Sequence, residues 1–406
     1  MPDFPSIEEQ LEVIERGTVE IVPRDELISK LEYSKKTGTP LRVKLGCDPT
    51  RPDLHLGHSV ILRKMRQFQS LGHHTILIIG DFTAMIGDPS GANKTRPALS
   101  KEEIVENGKT YFEQASKILD PNKTEIVYNS DWLSPLSFSD VIRLASHYTV
   151  ARMIERDDFL KRYQNNDPIS LHEFLYPLAQ GQDSVHLKSD IELGGIDQKF
   201  NLLVGRHLQK EHDLSPQVCL MMPLLVGTDG SKKMSKSYDN YIGIDDKPED
   251  MYGKALSIPD ELIYPYFELL TDIAVDQLQQ FKTLAETDPR NTKHELAWHL
   301  TRLYHGTEKA DFARKHFEKT VVKKDIPDDM PILTLPANSE SGILALLNDH
   351  NFTASNSEAR RMILQGGVSI NGDKVDDPQF VLKVEQGASY IIKVGKRKYF
   401  KVESSA

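Results

Sequence analysis

The sequence predicts an α/β protein: a parallel sheet with helices on both faces, then a helical domain, then a small α+β unit. Three observations lead there. Over the first 230 residues, short apolar runs rich in β-branched residues alternate with helix-period segments, the pattern of strand–helix–strand units in a parallel sheet. From about residue 247 to 324 the strand signal disappears. After residue 341 short strands return, separated by turns at Asn371-Gly372, Gln386-Gly387 and Val394-Gly395.

Residues 41–47 read as a short buried strand, and 59–71 as a helix with Ile61, Leu62, Met65 and Phe68 on one face. Residues 75–82 are apolar and β-branched, which fits a strand buried on both sides. Residues 101–119 read as helix and 125–128 as strand. A helix over 170–187, a strand over 191–193, a helix over 198–210 and a strand over 218–226 complete the alternation. Ligands on such sheets sit beyond the carboxyl ends of the strands, so functional residues should cluster just after strands. Four helices follow, at 260–271, 275–287, 293–305 and 309–319. Residues 326–338 (IPDDMPILTLPAN) are rich in Pro, Asp and small side chains, which suggests a linker. Two helix-like segments and the short strands make up 342–406.

Of the 406 residues, 39% are apolar, enough for two or three cored domains and too many for a disordered chain. No apolar run reaches membrane-spanning length. The opening MPDFPSIEEQ lacks the basic start and apolar run of a secretory signal. Cys47 and Cys219 have no metal-ligand spacing, so reduced thiols in a cytoplasmic protein are expected. The net charge of -10 argues against a chain that coats nucleic acid along its whole length. It is unevenly spread: residues 341–406 hold nine Lys and Arg against seven Asp and Glu, with Lys393, Lys396, Arg397, Lys398 and Lys401 crowded together.

The strongest local signal is GCDPTRPDLHLGH, residues 46–58, between the first strand and the following helix. Gly46 allows close approach to the backbone. Asp53 is a candidate N-cap, although the helix can also begin nearer His58. Gly57 clears space between His55 and His58, and a turn of this kind at a helix N-terminus suits an anion. By composition, His-x-Gly-His arises about 0.03 times in such a chain. The bland alternatives are polar loop histidines or metal ligands, but zinc would want further Cys or His nearby. The second signal is DGSKKMSKS, residues 229–237, directly after the strand at 218–226. Its lysines and serines suit a loop that folds over a polyphosphate, or merely a solvated basic loop.

Together HLGH and KMSKS, in this order and spacing, resemble the two signature motifs of the class I aminoacyl-tRNA synthetases. IGDPSG (86–91), YPLAQGQD (176–183) and ELGGIDQKFN (192–201) look like the tyrosyl versions. SEARRMILQGGVSINGDKV (357–375) resembles the small ribosomal-protein-like RNA-binding domain that many bacterial tyrosyl enzymes carry. The resemblance implies a Rossmann-like catalytic domain over 1–245, an anticodon-side helical domain over 246–325, a linker over 326–340 and an RNA-binding domain over 341–406.

The residues of YPLAQGQD agree. Tyr176, Gln180 and Asp183 stand at i, i+4 and i+7 and fall within roughly 60° on a helix. A stripe of phenol, amide and carboxylate can bind a zwitterionic, hydroxyl-bearing ligand, or simply face solvent. The resemblance implies that Tyr176, Gln180 and Asp88 hold the ammonium of tyrosine, and that Asp183 accepts from its phenolic hydroxyl. It implies Gln198 beside the tyrosine carboxylate and Gly46, Asp48, Gly57, Gly195 and Asp197 on the ATP side. Thr50, His55 and His58 would contact the phosphates, while Lys233 and Lys236 close over pyrophosphate. Asp88 can equally cap the DPSG turn, and Asp197 can serve as an N-cap.

Two departures stand out. Many relatives have a tyrosine where this chain has Lys44, which could pair with Asp183 or point elsewhere. The lysine that often follows DPSG is Ala92 here, with Lys94 or Arg96 as possible substitutes. The implied substrates are ATP with Mg²⁺, L-tyrosine and tRNA(Tyr), with no tightly bound prosthetic group, no metal-binding residues, no membrane and a homodimeric assembly. Arg360, Arg361, Lys396, Arg397 and Lys398 are the candidate RNA contacts. The competing expectations are a tryptophanyl-tRNA synthetase and a non-catalytic RNA-binding protein of synthetase descent.

Overall fold

The computed structural model describes residues 4–49, 54–89, 101–319, 330–350, 352–395 and 398–405. Thr50, Asp53, Ala92, Lys94, Arg96, Lys396 and Arg397 lie outside them. The chain divides into two compact units, residues 1–307 and 308–406.

The first unit is built on a six-stranded sheet: β1 (Glu20–Val22), β2 (Arg42–Cys47), β3 (His74–Ile79), β4 (Thr124–Tyr128), β5 (Ile191–Gly195) and β6 (Val218–Met222). Their order across the sheet is β1-β6-β5-β2-β3-β4. Five strands run parallel, as the alternation of patterns predicts. Val43, Leu45, Ile76 to Ile79, Ile191, Leu193 and all of β6 are buried, because helices cover both faces of such a sheet. β1 departs from the prediction: it pairs antiparallel with β6, Ile21 opposite Leu220. Three half-buried edge residues carry too little periodicity to be read as a strand. β6 is also shorter than predicted, since Pro223 follows it and has no N–H for the ladder.

The helix after β2 spans Leu56–Ser70, starting earlier than the apolar pattern indicates. Its N-cap is His55, and the cap is reciprocal. The His55 side chain accepts from the Gly57 N–H at 3.1 Å, and His58 Nδ1 accepts from the His55 N–H at 3.2 Å. Two imidazoles thus perform the exchange that a hydroxyl and a carboxylate make in a capping box.

The helical run contains Pro248–Leu256, Ile263–Leu270, Val275–Thr287 and Pro289–His305, all in the first unit. Buried Lys64 and half-buried Arg16 fasten the first helix, Lys64 to the helix after β2 and Arg16 to this region. Lys64 Nζ donates to the carbonyls of Val13, Ile14 and Arg16 at 2.9 Å each, closing the end of helix Ile7–Glu15. Arg16 in turn donates to the carbonyls of Glu268, Thr271 and Ile273. Each cation supplies donors to carbonyls that a helix end leaves unpaired.

The second unit has strands β7 (Ile332–Leu335), β8 (Ser339–Gly342), β9 (Val368–Ile370), β10 (Asp373–Lys374), β11 (Val381–Val384), β12 (Ser389–Val394) and β13 (Lys398–Ser404). They form a five-stranded sheet, β10-β9-β12-β13-β7, and a β11–β8 pair. The core joins helices Ile343–Asp349 and Asn356–Leu364 to Ile392, Phe400 and Val402. The predicted Asn371-Gly372 turn is present, with φ of 49° and 95°, the all-positive pair a two-residue hairpin favours. The stretch 326–340 is not linker throughout: β7 pairs in parallel with β13, and β8 with β11. Flanking prolines and only four alternating residues hide β7 from pattern reading. Among the described residues, no helix is long and apolar enough to cross a membrane.

Candidate active site

β2 has β3 on one side and β5 on the other, so the chain order reverses between β2 and β5. A crevice opens beyond the carboxyl ends at such a switch point. Gly46, Asp48, Gly195 and Asp197 stand there, at the ends of β2 and β5. A Cβ on Gly46 would meet nothing within 4 Å. Gly195 is the N-cap residue of the short turn Ile196–Gln198. Burial pushes the Asp197 carboxyl up, against the pull of Lys233 at 3.7 Å.

Asp48 accepts from Thr83 Oγ1 at 2.7 Å and from the Tyr176 hydroxyl at 2.8 Å. A side chain at Gly80 would collide with the Asp48 carboxylate. Neither Gly80 nor Thr83 announces itself in the sequence, because their role lies in a partner on a neighbouring strand end. Burial and the nearby Asp48 carboxylate push the Tyr176 phenol well up, so it stays a neutral donor.

Tyr176, Gln180 and Asp183 lie on helix Leu175–Leu187, one stripe as the spacing predicts. The amide of Gln180 is held at both ends. Nε2 donates to Glu192 Oε1 at 3.0 Å, and Oε1 accepts from Asn201 at 3.0 Å. Asn201 also donates to Gln198 Oε1 at 3.0 Å, and Gln198 Nε2 donates to Asp88 at 2.7 Å. Buried Arg156 stands 3.8 Å from Asp88, 3.2 Å from Asp158, and donates to Asn201 at 3.2 Å. Arg156 and Asn201 were not legible as site residues. The sequence signal that could have found Asn201 is its position one helical turn after Gln198.

Asp183 is buried and accepts from Trp132 Nε1 at 2.9 Å and Asn129 Nδ2 at 3.4 Å. Burial pushes its carboxyl up to about 7, while Lys44 and the two donors oppose that rise. Of the two alternatives for Lys44, pairing with Asp183 or pointing elsewhere, the ion pair follows the second. The lysine pairs with Glu192 at 2.9 Å, both side chains fully buried.

The HLGH turn is seated on residues 242–244, just after KMSKS, with His55 bridged to Gly243. Leu56 N–H donates to the Ile242 carbonyl at 2.9 Å, and Ile244 N–H to Leu54 at 3.1 Å. Met234 is buried, with its N–H on the Leu225 carbonyl at 2.7 Å. The His55 and His58 rings lie 4.0 Å apart. Burial, the neighbouring imidazole and Lys236 push His55 down to about 3. Burial and Lys236 push His58 down to about 4. Both rings are therefore neutral at pH 7. Each Nδ1 accepts a backbone N–H, which leaves the proton on Nε2. Lys236 Nζ lies 5.5 Å from the centre of the Tyr241 ring, which Lys254 also faces at 4.8 Å.

In the second unit Arg360, Arg361 and Lys398 are exposed. Lys398 donates to the Phe352 carbonyl at 2.8 Å, and Lys401 pairs with Glu403.

A switch-point crevice rimmed by HLGH and KMSKS marks a class of proteins, and residues 35–321 match the family described as class I tRNA synthetases (W and Y). The chain belongs to that class. Residues 322–402 match the SYY-like C-terminal domain of tyrosine–tRNA ligases. The tyrosine–tRNA ligase of Salinibacter ruber is 57% identical over 401 residues, 98% of this chain and 97% of the relative. That of Chlorobaculum tepidum is 58% identical over 399 residues, 98% of each chain. The tyrosyl-tRNA synthetase of Archaeoglobus fulgidus, solved with L-tyrosine, has a TM-score of 0.61 and 26% identity, covering 76% of this chain and 100% of that one. Within the class, this chain belongs to the tyrosyl-tRNA synthetase family.

Proposed function

We propose that this chain joins L-tyrosine to tRNA(Tyr) in two steps. Tyrosine carboxylate attacks the α-phosphorus of ATP and displaces pyrophosphate; the ribose at the tRNA terminus then takes the tyrosyl group and AMP leaves. A carboxylate is already ionised at pH 7, so the first step needs no general base. Catalysis comes from positioning and from stabilising the transferring phosphate.

The tyrosine ammonium sits among Asp88, Tyr176 and Gln180, whose amide is oriented by Glu192 and Asn201. Asp183 accepts from the phenolic hydroxyl, and a phenylalanine ring would withhold that donor, leaving the buried carboxylate with Trp132 and Asn129 alone. Gln198 lies beside the reacting carboxylate. Gly46, Asp48, Gly57, Gly195 and Asp197 take the nucleotide. Neutral His55 and His58 donate from Nε2 to phosphate oxygens, with Thr50 as a further donor. Lys233 and Lys236 supply the positive charge. Among the described residues no cluster of His, Cys, Asp and Glu could cage a metal. Mg²⁺ accompanies ATP, held mainly by its phosphates and water. Lys396 and Arg397, with Arg360, Arg361 and Lys398, contact tRNA phosphates.

A homodimer fits one further feature. Segment 138–171 leaves Phe138 and Leu171 81% and 84% exposed, with Ile142, Val150 and Tyr163 also outward, more apolar surface than a monomer ordinarily shows to water. Sedimentation of Phe138→Glu as a monomer supports this; an unchanged dimer sinks it.

The observation that carries the reading is the seating of the HLGH turn on the segment that follows KMSKS, in one unit with a helix whose polar stripe ends in Asp183. ATP–pyrophosphate exchange with tyrosine, phenylalanine and tryptophan tests it. Exchange with tyrosine alone is expected, and exchange driven by tryptophan would overturn it.

A further inference from the structure

Glu192 and Lys44 pose a question that the reaction itself does not answer. Their side chains are 1% and 0% exposed, paired at 2.9 Å. Glu192 also accepts from Gln180 Nε2, Ser184 Oγ and Gln217 Nε2, and Lys44 Nζ donates to the Gln180 carbonyl at 3.5 Å. A buried ion pair is often no more stable than an apolar pair of the same shape, so stability is weak ground for its presence.

The second buried carboxylate in this interior supplies the ground. Asp183 lies one turn beyond Gln180, whose carbonyl Lys44 touches. Its hydrogen-bond donors, Trp132 and Asn129, are both neutral. Two buried carboxylates oppose each other's ionisation, and the buried Lys44 ammonium, paired to Glu192 and touching the Gln180 carbonyl, offsets that. We infer that Lys44 is a specificity-determining positioning residue: from beside Glu192, its ammonium keeps Asp183 an anionic acceptor, and so sets how strongly a phenol is preferred over a plain benzene ring. This rests on the reading of Asp183 as the hydroxyl acceptor.

The groups acting on Asp183 are consistent with the assignment. Lys44 from β2 is the strongest influence opposing burial, Glu192 from β5 acts weakly the other way, and Tyr176 lies two turns back on the same helix. With its carboxyl near 7, Asp183 loses its charge as pH falls through neutrality. Preference for tyrosine then weakens on the acid side, and loss of Lys44 moves that weakening to higher pH.

The test is the ratio of kcat/KM for tyrosine to that for phenylalanine, by pyrophosphate exchange on the full chain from pH 5.5 to 8.5. In the unmodified enzyme the ratio should rise with pH around a midpoint near 7. Lys44→Met with Glu192→Gln removes both charges together, so neither is left buried alone. The midpoint should rise by about one unit or more, and the ratio at pH 7 fall about 10-fold whatever common factor the change at Glu192 puts on both substrates. Lys44→Gln with Glu192→Gln, which keeps an amide pair, gives the same answer if the first variant does not fold. A ratio flat with pH in the unmodified enzyme, or a folded variant with an unmoved midpoint and ratio, overturns the inference. No tyrosine-dependent exchange in the unmodified enzyme would instead overturn the proposed function itself.

Discussion

Gly57 faces Met234: a Cβ on Gly57 would stand 3.6 Å from the Met234 Cβ and 2.9 Å from the His55 ring. With Met234 at ordinary contact distance, the absent side chain is what lets the His55 ring fold back over its own turn. It also leaves the His55 Nδ1 free to accept the Gly57 N–H. The glycine thus helps to fix the tautomer of the His55 imidazole.

Gly57→Ala should therefore act on the first step with little effect on the fold. The added methyl pushes the His55 ring off its cap, and a displacement of about 1 Å in a positioned group costs up to about 100-fold in rate. Adenylate formation in a single turnover should slow by about 10-fold or more, with tyrosine KM and Tm nearly unchanged. Normal rates would mean that His55 tolerates the shift.

The depressed imidazoles make stability depend on pH. Unfolded, His58 takes up its proton near 6.5; folded, near 4. Between those values the unfolded chain binds more protons, so stability rises with pH across the window and is fully present above 6.5. Each such histidine contributes up to about 1.4 kcal/mol per pH unit there. In His58→Asn the loss of unfolding free energy from pH 7 to pH 5 should be smaller by about 2 kcal/mol, read by urea unfolding. Parallel pH profiles for the two proteins would contradict the assignment.

Arg156 should matter for tyrosine and not for ATP. It stands behind Asp88 and donates to Asn201, which orients both Gln180 and Gln198. Arg156→Gln loosens three residues of the ammonium and carboxylate sites together. Tyrosine KM should rise about 10-fold or more while the KM for ATP stays within about 2-fold. Equal rises in both would show general damage.

How much of this was legible in the sequence differs by physical cause. The parallel strands were readable because burial on both faces demands continuous apolar runs such as Thr75 to Ile79. β1 and β7 were not, since three or four residues at a sheet edge carry almost no period. HLGH, KMSKS and YPLAQGQD were readable as local strings whose spacing already sets their geometry. Arg156, Asn201, Thr83, Trp132 and the Lys44–Glu192 pair were not, because each acts through a partner brought near only by the sheet's topology.

Lys64 offers a test of the joint between the first helix and the helix after β2. Its Nζ donates to three carbonyls at the end of helix Ile7–Glu15, and the side chain is buried. Lys64→Met fills the same space and removes that donor from all three, leaving the Ile14 carbonyl with the Thr18 hydroxyl. A loss of roughly 3 kcal/mol in unfolding free energy is expected, with tyrosine KM unchanged in the folded fraction. A loss below about 0.5 kcal/mol would mean that the carbonyls find other donors.

Where the chain is cut should decide whether a truncated enzyme stays soluble. β7 (Ile332–Leu335) pairs with β13, and β8 with β11, so the second unit's sheets begin before residue 340. A chain ended at 340 keeps β7 without its partner β13, and an unpaired apolar strand invites edge-to-edge association. A chain ended at 329 removes the strands with their partners. Both should form tyrosyl-adenylate within about 2-fold of the full chain and charge tRNA about 10-fold or more slowly. Only the longer one should aggregate, as light scattering would read. In the full chain, Arg360→Ala with Arg361→Ala should weaken tRNA binding and lower its dependence on salt by about one to two ions. Full-rate charging by the chain ended at 329 would remove the second unit from tRNA recognition.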